Sequence, residues 1–253
     1  MNEQVGSFGM NIPIKIYGLS EKSITITFGT AIENDLLDLI TDFNQLLLQD
    51  PFAGLITTVP AYTTLTVFFD PLSVMLSDLP GEGCFEKVSA YVHKIAQVKR
   101  EKSKVTANEV IIPVCYGGDL GRDLLTVART CNLSEAEVMD MHTAGQYTVF
   151  MIGFVPGFAY MGGMDARLST PRKEIPNAKI PAGSVGIAGN QTGIYPMETP
   201  GGWQIIGRTP LKMFDVNRSQ PSLLKGGDRV TFKAIDIKEF NAMLKYEYEN
   251  QHH

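Results

Sequence analysis

The sequence predicts an α+β unit of ferredoxin-like type followed by a mainly-β barrel. Three observations carry that reading. Apolar residues alternate at Ile12, Ile14, Ile16 and again at Ile24, Ile26, Phe28, the two-residue period of half-buried strands. Leu36, Ile40, Phe43 and Leu47, and later Phe85, Val88, Val92 and Ile95, fall on helical stripes. Past residue 109 glycine and proline become dense, and apolar runs shorten to the length of small strands joined by turns.

Taken in order, "IPIKIYG" and "SITITF" are strands, and "ENDLLDLITDFNQLLLQD" is an amphipathic helix. "GLITTVP" and "TTLTVFF" are two further strands, with Ala61 and Tyr62 as a tight connection. "CFEKVSAYVHKIAQVKR" is the second helix and "EVIIPVCY" the next strand. Two helices on one face of a mainly antiparallel sheet would bury both stripes in one core. The charged stretch "KREKSKVTANE", residues 99–109, lacks apolar periodicity and reads as a linker. The expected domains are therefore 1–105 and 106–240, with 241–253 as a polar tail.

The second part opens with two short helices joined at "CNLS". Ser134 and Glu137 have capping-box spacing for the second of them. Short strands follow at "YTVFMIGF", "SVGIAG", "TGIYPM", "GWQIIGRT" and "DRVTFKAI", as in a closed or nearly closed β-barrel.

The 253 residues carry a net charge of −5, which argues against a nucleic-acid-binding protein, and no Lys/Arg run suggests a membrane patch. Hydrophobic residues make up 44% of the chain, enough for a packed core. Cys84, Cys115 and Cys131 lack CxxC spacing, so reduced thiols are expected rather than a disulfide framework or zinc site. No basic-then-apolar leader and no spanning apolar run is evident, so a cytoplasmic protein is expected.

GxxxxGK[ST], HExxH and GxSxG are all missing, and no metal site is expected. What remains is backbone. Gly183, Gly186, Gly189 and Gly193 recur every three or four residues, with Ser184, Asn190, Gln191 and Thr192 among them. Such glycines either expose N–H groups to an anionic ligand or turn the corners of a small barrel. His142 lies four residues after Val138 on one helix face, as a buried core histidine or as a general acid or base. Arg172 and Arg208 are candidates to clamp a carboxylate, or to pair at the surface. Phe154, Phe158, Tyr160 and Trp203 either wall a cavity or pack in a core.

"VCYGGDLGRDL", "MHTAGQYTVFMIGFVPGFAYMGGM", "TPRKEIPNAKIPAGSVGIAGNQTGIYPMETPGGWQIIGRTPLKMFD" and "LLKGGDRVTF" together resemble the B-subunit family of bacterial 5-oxoprolinase. That family is also called KipI-like or allophanate hydrolase subunit-one-like, with carboxyltransferase subdomains C and D. The resemblance runs through residues 110–233. It implies a cyclophilin-like barrel and a hetero-oligomer with subunits A and C, the latter carboxyltransferase-like, and no activity for the chain on its own. It implies opening of the 5-oxo-L-proline ring to L-glutamate with ATP, and Mg, as co-substrate of the complex. A KipI-type inhibitor of a histidine kinase, or a carboxyltransferase acting on urea-like amides, is the alternative. Ala144, Gly145, Gln146 and Tyr147 replace a segment that is often acidic in the family, which leaves His142 as the catalytic candidate.

Overall fold

The computed structural model describes residues 4–8, 12–30, 34–98 and 108–249. Residues 99–107 of the expected linker, and His252 and His253, lie outside the described residues. The chain divides into two compact units, Met1–Thr106 and Ala107–His253.

The first unit contains β1 (Gln4–Phe8), β2 (Ile12–Ser20), β3 (Ser23–Thr27), α1 (Asn34–Gln49), β4 (Leu55–Pro60), β5 (Thr64–Phe69), α2 (Pro71–Met75) and α3 (Cys84–Ala96). Its sheet has the order β1-β2-β3-β5-β4, with every neighbouring pair antiparallel. Alternation sends Ile14, Ile16, Ile24, Ile26, Leu65, Val67 and Phe69 to one face, where each is at most 1% exposed. They meet Ile40, Phe43 and Leu47 of α1 and Val88, Val92 and Ile95 of α3 in a single core. Each such side chain contributes about 1.5–3 kcal/mol by leaving water. Short α2 starts at a proline, and the Asp70 carboxylate accepts the Ser73 N–H at 2.8 Å as its cap.

One expectation is corrected here. The strand "EVIIPVCY" does not complete the first sheet, because it is the opening strand of the second unit. The place beside β3 is taken by β2, its hairpin neighbour. Periodicity identifies a strand but not its partner, and a hairpin pairs locally at the smallest entropic cost.

The second unit contains β6 (Glu109–Tyr116), α4 (Leu124–Cys131), α5 (Glu135–Ala144), β7 (Tyr147–Ile152), β8 (Ala159–Gly162), β9 (Asn177–Ile180), β10 (Ser184–Ala188), β11 (Gln191–Ile194), β12 (Thr199–Gly201), β13 (Gln204–Arg208), β14 (Arg229–Ala234) and α6 (Ile237–Glu249). Seven strands close a barrel in the order β10-β11-β8-β7-β14-β6-β13, with β13 returning to β10. The pair β6–β14, first strand and last, is parallel, and the other neighbours are antiparallel. A separate two-stranded sheet, β12-β9, stands beside the barrel.

Asn132 ends α4 in the left-handed conformation, and Ser134 opens α5 with a complete capping box to Glu137. The barrel core includes Val114, Val149, Met161, Val185, Ile187, Ile206 and Val230. The last helix, α6, buries Phe240 to 2% exposure and runs through Glu249 into the expected polar tail, whose described side chains are exposed or half-buried.

Candidate functional site

α5 carries His142 into the barrel. The ring is fully buried and meets Tyr116 of β6, Tyr147 of β7, Thr192 of β11 and Phe232 of β14. Its hydrogen bonds settle into one consistent direction. The Thr192 hydroxyl donates to the Gly186 carbonyl at 3.1 Å, so its oxygen accepts from His142 Nε2 at 3.0 Å. His142 Nδ1 is then the acceptor for the Tyr116 hydroxyl at 2.8 Å. The Tyr147 hydroxyl donates to the His142 backbone carbonyl at 2.8 Å. Burial holds the imidazole neutral, with its pKa lowered to about 3. Burial likewise pushes the Tyr116 hydroxyl well above its ordinary range, so it stays a protonated donor.

A cavity of about 410 Å³ lies outside this relay. Phe154, Phe158, Tyr160, Tyr195 and Trp203 form its aromatic walls, and Thr199, Pro200, Gly201 and Gly202 border it from β12 and the residue after. Arg172 and Pro176 enter from the loop before β9. The rings interlock at right angles or tilted. Phe158 stands edge-on to Tyr195 at 5.0 Å and to Trp203 at 5.4 Å, and Tyr160 to Trp203 at 5.7 Å. Burial pushes the Tyr195 hydroxyl up to about 12. The Arg172 guanidinium carbon lies 5.9 Å from the Trp203 ring centroid, a cation–π position. Among the described residues Arg172 makes no ion pair with a carboxylate.

The glycines make this cavity possible from behind. A Cβ on Gly193 would lie 2.9 Å from Trp203 Cζ3 and 3.1 Å from Phe158 Cε1, so only glycine lets those rings lie on β11. Gly189 is different: with φ +56 it takes the first central position of the two-residue β10–β11 turn, Ala188 pairing with Gln191. The Gly183 N–H donates to the Tyr195 carbonyl and the Gly189 N–H to the Thr170 carbonyl. These donors are engaged within the chain, and the turn and packing readings describe both positions.

The structure therefore brings Phe154, Phe158, Tyr160, Arg172 and Trp203 together around one cavity, and it leaves the other candidates outside the lining. Ser184, Gly186 and Thr192 are buried in the barrel wall, and Asn190 is exposed at the hairpin turn. Gln191 opens β11. Arg208 Nε donates to the Ala182 carbonyl at 2.7 Å, and burial lowers its pKa. Tyr195 was hidden in a strand-like run, "TGIYPM", with no local sign of its cavity role.

Phe154 is unusual in its backbone as well. The Val155 N–H bonds the Gly153 carbonyl at 2.7 Å, a γ-turn centred on Phe154 with φ +64. An aromatic residue held there, 62% exposed at a cavity rim, is strain located at a site.

Residues 14–224 match the model of the carboxyltransferase domain, subdomain C and D. The chain belongs to the carboxyltransferase subdomain C and D family. Within this family it is 43% identical over 234 residues to the 5-oxoprolinase B subunit of Bacillus subtilis, covering 92% of this chain and 98% of that relative. Two solved structures show the same family fold. The conserved uncharacterised protein PH0987 of Pyrococcus horikoshii is 41% identical with a TM-score of 0.53, covering 89% of this chain and 99% of that one. TTHA0988 is 32% identical with a TM-score of 0.72, covering 85% of this chain, which spans 40% of TTHA0988. No helix among the described residues is long and apolar enough to cross a membrane.

Proposed function

We propose that the chain is one component of an ATP-dependent 5-oxoprolinase, acting with subunits A and C to open 5-oxo-L-proline to L-glutamate. The observation that carries the reading is Arg172 standing over Trp203 at the edge of an aromatic cavity. The substrate is a small ring with one carboxylate and one lactam carbonyl. Arg172 takes the carboxylate, and the ring lies against Phe154 and Tyr160, above the buried Trp203 and Phe158. The carboxylate is not the reacting group, so holding it leaves the lactam carbonyl free for chemistry at the open side of the cavity.

ATP gives its γ-phosphoryl group to the lactam oxygen and leaves as ADP. Water adds to the activated ring carbon, and the C–N bond breaks with the amine taking a proton to give γ-glutamyl phosphate. A second water releases phosphate and L-glutamate. A triphosphate with Mg calls for several cations or a cradle of N–H groups. The cavity offers one guanidinium among aromatics, and no group of three His, Cys, Asp or Glu is placed to hold a metal among the described residues. We therefore assign ATP and its Mg to surfaces supplied with the other two components, and read the lone chain as inactive. Phe154, 62% exposed at this rim, and Ile175, 84% exposed and next in sequence to the lining residue Pro176, are apolar surface that one of those components would cover.

In this reading His142 is an internal strut of the barrel rather than the general base. The first unit is read as ferredoxin-like through its split core, in which β5 lies between β3 and β4 and antiparallel to both. The barrel is read as cyclophilin-like, the chain as two domains and its compartment as the cytoplasm. The decisive experiment mixes the chain with subunits A and C, Mg-ATP and 5-oxo-L-proline, and measures glutamate and ADP. Turnover is expected only with all three components. Equal turnover without this chain, or none in a fully folded mixture, rejects the reading.

A further inference from the structure

Asp123 stands just before α4 and is 7% exposed. Its N–H donates to the Ile205 carbonyl at 2.8 Å, and its Oδ2 accepts the Ile205 N–H at 2.8 Å. β13 pairs in register with β6 at Gly207 and Arg208. At Ile205 that neighbour has gone, and Asp123 supplies the donor and the acceptor in its place. The remaining oxygen, Oδ1, takes Lys173 Nζ at 2.5 Å.

Lys173 is tied again through its backbone, whose N–H donates to the Gly202 carbonyl at 2.7 Å. On the other side, Gln204 Nε2 donates to the Pro171 carbonyl at 3.1 Å. Arg172 lies between these two anchors, and Trp203 lies between the residues that form them. We propose that Asp123 is the positioning residue of the cavity. One carboxylate joins β13, which Trp203 immediately precedes, to the loop that carries Arg172, so the guanidinium stands over the indole before a ligand arrives. The inference rests on the reading that Arg172 takes the ligand carboxylate.

Trp203 is the only tryptophan in the chain, so its fluorescence reports on this cavity. The test compares the full chain with Asp123→Asn, Lys173→Met and the double variant, titrated with 5-oxo-L-proline. Each single variant is expected to bind about tenfold more weakly, with Trp203 more open to acrylamide. In the enzyme reconstituted from all three components, KM rises and kcat holds. The double variant leaves no unpaired buried charge, so its melting temperature recovers relative to the singles while its binding stays weak. Binding that recovers together with melting temperature overturns the proposal, as does unchanged binding in folded single variants. Failure of the underlying reading looks different: the wild type itself then shows no saturable response to 5-oxo-L-proline, in the chain or in the complex, and the inference falls with it.

Discussion

Thr192 and Gly193 are consecutive on one strand and serve opposite sides of it. Thr192 accepts the His142 hydrogen bond inside the barrel, while Gly193 lies beneath Trp203 and Phe158. One strand thickness therefore separates the histidine relay from the cavity floor. The relay holds β11 in place, and β11 holds the aromatic floor.

If His142 is a strut, its loss acts on stability first. His142→Ala leaves the Tyr116 hydroxyl unpartnered and opens a hole in the barrel, at a cost of about 3 kcal/mol. Urea unfolding measures that cost. Turnover per folded molecule in the reconstituted enzyme is expected to stay within about tenfold of wild type, whereas loss of a general base removes roughly 10²–10⁴-fold.

Acid sensitivity follows from the same ring. The folded pKa, about 3, lies below the ordinary value of 6.5, so the unfolded chain takes up a proton that the folded chain refuses. The stabilising contribution is whole above the unfolded value, declines as pH falls, and is lost once the folded ring protonates, at a slope of about 1.4 kcal/mol per pH unit. The stability difference between wild type and His142→Gln is expected to shrink by about 1–2 kcal/mol between about pH 6.5 and 5. Using the difference cancels acid effects of Asp165 and Asp215, whose carboxyls are also held below their usual range. A difference that is flat with pH would show that the ring is not held neutral.

Arg172 is exposed, so its replacement tests binding without disturbing the fold. Arg172→Gln is expected to weaken 5-oxo-L-proline binding by about 10–100-fold, the worth of a charge-assisted contact of roughly 1.5–3 kcal/mol. Thermal stability should move by less than about 0.5 kcal/mol. Calorimetric titration and a melting curve on the same samples check both halves. Arg172→Lys should recover little, because a lysine lacks the planar fork.

Gly193→Ala pushes a methyl against the Ala159 carbonyl oxygen, 2.9 Å from the new Cβ, and against both rings. Overpacking of this kind costs about 1–3 kcal/mol. Trp203 emission is expected to shift to the red as the indole is lifted from the strand. An unshifted spectrum in a stable Gly193→Ala variant would place the indole elsewhere.

Helices α1, α3, α4 and α5 and the β2–β3 hairpin were legible in the sequence because their signals are local. Ile14 and Ile16, or Phe43 and Leu47, announce a buried face within a few residues. The Ser134–Glu137 capping box is equally local. α6 was not legible, because Phe240 is its only fully buried described side chain and its other apolar residues, Ile237, Met243 and Leu244, form no buried stripe. Asp123 was hidden for another reason. At the start of a helix an aspartate looks like a cap, yet its carboxylate serves Ile205 and Lys173 instead. Aromatic residues near "PGFAY" and "GGWQ" suggested a cavity, but composition alone does not say which glycines turn a corner and which make room for a ring.

The parallel pairing of β6 with β14 also sets an order of events in time. Glu109 pairs with Arg229, so the barrel closes only when its last strand has left the ribosome. Until then β6 presents an open, apolar edge, and its partner is separated from it by nearly the whole unit. Such distant pairing makes folding slow, and a nascent chain that stalls before Arg229 is expected to aggregate or recruit chaperones.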